Sequence, residues 1–81
     1  METIHLDDFL TDGILKENEF REKVNKIDWS EFSRKTVLIR GCASVPVPTW
    51  AHLIITAELA QFAKEICYGE PNSFLKVYSK K

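Results

Sequence analysis

The chain has 81 residues, 44 % hydrophobic and 28 % charged, with eleven basic and twelve acidic side chains for a formal net charge of −1. That length allows one domain near the lower end of what folds alone, burying only about 60–65 % of its unfolded surface. The composition excludes a disordered chain, and the balanced charge removes the electrostatic excess that nucleic-acid backbones or anionic lipid would need.

Thr3-Ile4-His5-Leu6 has apolar residues at alternate positions before Asp7-Asp8, and reads as a brief strand. Thr11-Asp12-Gly13 lies between Phe9-Leu10 and Ile14-Leu15, and its Asp-Gly pair supplies the positive φ of a tight turn. From Lys16 to Ile27 the apolar residues Phe20, Val24 and Ile27 are spaced i, i+4, i+7, which predicts an amphipathic surface helix. Glu19 with Lys23, and Glu22 with Lys26, are acid-before-base pairs that would decorate its solvent face.

Asp28-Trp29-Ser30-Glu31 has the form of a helix start, with room for about one turn, and Trp29 and Phe32 are expected to fold onto the core. Thr36-Val37-Leu38-Ile39 is a continuous aliphatic run, as expected of a central strand covered on both faces. Pro48-Thr49 opens a second helix running to about Phe62 or Ala63, with Pro48 in the first turn, where its missing N–H costs nothing. Thr49, His52 and Thr56 share one stripe of that helix, opposite Glu58, Gln61 and Glu65.

Glu65 to Gly69 reads as a third strand, and Glu70-Pro71-Asn72-Ser73 as a turn. Phe74, Leu75, Val77 and Tyr78 fit either a short helix or an edge strand, and the shared face of Phe74, Leu75 and Tyr78 leans the reading to helix. The expected fold is therefore a small single α/β domain over residues 1–81. It has a mainly parallel sheet in strand-helix-strand-helix-strand order plus a short terminal element.

In such sheets binding groups gather where strand ends meet helix N-termini, which directs attention to Gly41–Trp50. A thiolate at Cys42 would be favoured by the positive end of the following helix, and His52 is the nearby histidine able to serve as its base. The plainer alternative has Cys42 as a small buried hydrophobe and His52 as an ordinary helix residue. Ser44, Pro48, Thr49, Trp50 and Thr56 complete the candidate binding surface, although Trp50 also suits the core. No spacing of Cys42, His52, His5 and Cys67 matches a zinc pattern, and Arg40-Gly41-Cys42-Ala43 lacks a phosphate-cradling loop. No cofactor is expected.

Neither a basic-then-apolar leader nor a long apolar span is visible, so a cytoplasmic chain with reduced thiols is expected. A domain this small often completes its burial on another surface, so the expected partner is another protein or a second copy, as in a homodimer.

Gly13-Ile14-Leu15-Lys16-Glu17 with Phe20-Arg21-Glu22, Asp28-Trp29-Ser30, Cys42, Val47-Pro48-Thr49-Trp50-Ala51, Phe62-Ala63-Lys64 and Tyr68-Gly69 carry a resemblance. Over about residues 4 to 69 the chain resembles the bacterial family known as domain of unknown function 2480, and the Pro-Thr-Trp-Ala segment is the most distinctive part. The resemblance implies longer relatives with an N-terminal extension, and a Ser-Ala-Asp loop where this chain has Ala43-Ser44-Val45 without a carboxylate. It brings no activity, but implies an accessory role in iron–sulfur cluster assembly, handling sulfur, iron or an assembly partner.

Two functions follow as expectations. One is a non-catalytic accessory or protein-binding domain; the other is a thiol-dependent activity in which Cys42 carries a persulfide or attacks an electrophile with His52 as base. An isolated Cys/His pair without an orienting carboxylate or an oxyanion-hole signature favours the first.

Overall fold

The computed structural model describes residues 1–41 and 46–80. Its elements in chain order are β1 (Glu2–His5), a 3₁₀ turn (Leu6–Phe9), α1 (Glu17–Asn25), a second 3₁₀ turn (Trp29–Phe32), β2 (Thr36–Arg40), α2 (Thr49–Ala60), β3 (Glu65–Glu70) and β4 (Ser73–Ser79). They form one four-stranded sheet in the order β1-β2-β3-β4. The first three strands are parallel and β4 is antiparallel to β3.

The sheet is thus mixed rather than mainly parallel, and the terminal element is a strand rather than a helix. A bulge explains why β4 resembled a helix. Ile66 pairs with Tyr78 but Cys67 pairs with Lys76, which leaves Val77 as an extra residue. That insertion breaks the period of two and sets Phe74, Leu75 and Tyr78 at a helix-like spacing.

Register places Ile4 beside Ile39, and Val37 beside Ile66. These four share one buried cluster with Phe20 and Val24 of α1 and Ala51, Ile55 and Leu59 of α2. Both helices therefore cover the same face, and the domain has two layers. Burying side chains of this size contributes about 1.5–3 kcal/mol each. At the centre, fully buried Phe20 meets Phe9 at 5.2 Å and Trp50 edge-on at 5.3 Å between ring centroids.

All three central residues of β2 are buried, yet helices cover only one of its faces. Leu38 points away from Val37 and Ile39 and pairs in register with Cys67, and both lie outside the main cluster. Around them on this second face, Glu65 accepts hydrogen bonds from Lys76 at 2.8 Å and from the Thr36 hydroxyl at 3.2 Å.

Local chemistry accounts for the connections. Asp12 and Gly13 both have positive φ, 52° and 78°, and Thr11 and Ile14 exchange backbone hydrogen bonds across them. The Asp28 carboxylate accepts from the Ser30 N–H, and the turn it starts brings the Trp29 indole to donate to the Val24 carbonyl at 3.0 Å. That bond gives the Val24 carbonyl a second donor beside the Ile27 N–H. Lys23 does not pair with Glu19; it donates to the Leu10 carbonyl and the Thr11 hydroxyl, tying α1 to the preceding turn.

Candidate functional site

Two helices cannot cover four strands, and α2 stops short of β4. The uncovered strip becomes an apolar groove of 380 Å³ lined by Ile39, His52, Leu53, Thr56, Tyr68 and Val77. This size sits at the lower end of ligand pockets. The spacing i, i+1, i+4 sets His52, Leu53 and Thr56 on the flank of α2 facing the strip. Register sets Tyr68 beside Ile39 on β2 and beside Leu75 on β4.

The His52 ring meets the Tyr68 ring edge-on, with centroids 4.7 Å apart. Its Nδ1 is buried and has no hydrogen-bond partner among the described residues. Burial disfavours the imidazolium and lowers the pKa below the usual 6.5, so the ring is neutral at neutral pH. The Tyr68 hydroxyl reaches the end of β2, where a Cβ on Gly41 would stand only 3.3 Å from it.

Of the residues expected at the site, His52 and Thr56 line the groove together. Pro48 is the residue capping α2 rather than its first helical residue, and Thr49 is exposed at the helix start. Trp50 is half-buried and packs against Phe20 and the core. Cys42 and Ser44 lie outside the described residues. Sequence reasoning missed Leu53, Tyr68 and Val77. A signal for Tyr68 exists in the alternation of β3, which sends it to the helix side next to Ile66, but locating Val77 requires the bulge.

The other thiol, Cys67, is buried on the opposite face of the sheet. Burial, followed by the Glu65 charge, pushes its pKa above the usual 9.0, so it is neutral and poorly nucleophilic. A larger, shallower depression of 600 Å³ lies between Ser33, Arg34, Gln61, Phe62, Lys64 and Lys80. Its polar groups serve the end of α2: Lys80 donates to the Gln61 carbonyl and the Arg34 N–H to that of Phe62.

Among the described residues, no group of three or more His, Cys, Asp and Glu side chains is placed to hold a metal ion, and no helix is long and apolar enough to cross a membrane. No curated protein and no solved structure matches the chain. The family model described as Protein of unknown function (DUF2480) matches residues 1–81, the full length given, and the chain belongs to that family.

Proposed function

We propose that this domain is a non-catalytic binding module whose groove between α2 and β4 receives an apolar segment of a protein partner. The observation that carries this reading is the lining itself. Aliphatic Ile39, Leu53 and Val77 surround a neutral imidazole and two hydroxyls, which suits an uncharged side chain presenting one or two hydrogen-bonding groups. Leu53, at 63 % exposed, extends the apolar lining to the rim of the groove, making a contiguous patch. Iron–sulfur cluster assembly, implied by the family resemblance, supplies the first candidates for that partner.

The test is an NMR titration of the labelled domain with purified iron–sulfur assembly proteins. Shifts concentrated at Ile39, Leu53, Thr56, Tyr68 and Val77 that vanish in Leu53→Glu support the reading. Binding mapped to another face, or undiminished in that variant, rejects it.

A second reading keeps the thiol chemistry. It is favoured by His52, a neutral base against the ring of Tyr68, whose hydroxyl lies near Gly41, the residue before Cys42. Alkylation of Cys42 against pH decides it, since a thiol pKa of about 8.5 or above removes any assistance from His52.

A further inference from the structure

The two edges of the sheet are built differently. The β1 edge is four residues long, carries exposed Glu2 and His5, and turns at once into the Leu6–Phe9 turn. The β4 edge is seven residues long, and every residue except half-buried Tyr78 is exposed. Phe74 is 45 %, Leu75 63 % and Val77 49 % exposed, so apolar side chains stand on both faces of this edge. The strand contains no proline, and its one charge, Lys76, is held by Glu65 of the same chain. The Val77 bulge and Lys76 are devices that blunt an edge, but Lys76 is drawn back to Glu65 and residues 73–76 before the bulge pair regularly with β3, so an apolar edge remains that can template further strand pairing.

We propose that β4 pairs antiparallel with β4 of a second copy about a two-fold axis, joining two sheets into one of eight strands. A second copy fits this edge better than a foreign strand on two counts. The strip carries no unneutralised charge by which to recognise a charged partner, and self-pairing about a two-fold closes the exposed edge on both molecules at once. The ribbon with its flanking side chains buries on the order of 1,000 Å² over both copies, below the about 1,200 Å² at which stable specific interfaces begin, so the contact is a weak one. The dimer is therefore concentration dependent.

Pairing also changes the groove. Each α2 packs over β2 and β3, so four strand spacings of about 4.8 Å separate the two helix axes across the dimer. The resulting trough is about 19 Å between axes, with free width for roughly one more helix. Its floor takes Leu75 and Val77 from both copies. The dimer stands on the β4 edge and does not require the binding reading above to hold.

Sedimentation velocity from 5 to 500 μM (about the range bracketing such an interface) tests the dimer on the whole chain. The expected result is a mass rising toward twice that of the chain, abolished by Leu75→Lys and unaffected by Thr3→Lys on the opposite edge. Amide exchange at 73–79 in the wild-type chain should slow as concentration rises, which reads the same contact without any variant. A monomer throughout, or a dimer that survives Leu75→Lys or leaves the β4 amides unprotected, overturns the proposal. Groove binding at low concentration, measured with Leu53→Glu, succeeds or fails separately.

Discussion

The imidazole of His52 stands nearly perpendicular to the ring of Tyr68, at 84°, so that each closes one side of the other from water. Since burial holds the folded pKa below 6.5, the unfolded chain takes up this proton first as the pH falls. The stability contributed by neutral His52 is complete above about 6.5 and is lost on acidification toward the folded value. An NMR titration should place the His52 midpoint below 6.5, and Tyr68→Ala should raise it toward that value. A wild-type midpoint at or above 6.5 contradicts the burial argument.

Cys67 should resist thiol reagents. In a Cys42→Ser background, native protein is expected to react at least ~10-fold more slowly than urea-unfolded protein, because the attacking species is the thiolate and burial suppresses it. Equal rates would mean that the face carrying Leu38 and Cys67 is open.

The glycines at 13 and 69 separate two kinds of cost. Both have positive φ, but a Cβ at Gly13 meets nothing within 4 Å, whereas one at Gly69 meets the Ser73 carbonyl oxygen at 2.6 Å and the Phe74 Cα at 2.9 Å. Gly13→Ala should lose about 1 kcal/mol from backbone strain alone. Gly69→Ala should lose more, about 2–4 kcal/mol, because the β3–β4 turn must also move. Denaturant melts of the two variants check the order.

Phe20→Ala removes the ring that joins the first turn to α2 through Phe9 and Trp50. The expected loss is about 3–5 kcal/mol, which would leave a domain of this size largely unfolded. Circular dichroism of that variant provides the measurement; a cooperative melt near the wild-type midpoint would show that the core repacks.

Where a residue's fate depends on near neighbours, the sequence was readable. Phe20, Val24 and Ile27 marked α1, the Asp12-Gly13 pair marked its turn, and the run 36–39 marked the middle of the sheet. What depended on distant pairing was not. Leu38 is flanked in register by Thr3 of β1 and Cys67 of β3, both far from it in the chain, and does not lie beneath a second helix layer. The strand nature of 73–79 was hidden because its bulge exists only against β3. At the candidate site, His52 and Thr56 were legible from helix periodicity, while Tyr68 and Val77 joined them only through sheet register.

Because β4 runs opposite to the other three strands, the chain comes back to the end of the sheet from which β1, β2 and β3 set out, where the Lys80 N–H meets the Lys64 carbonyl at 2.8 Å. Tyr68 lies four residues further along β3, about 13 Å away. Coupling the molecule to a sensor chip through a residue at that end therefore leaves the His52 mouth turned toward solution.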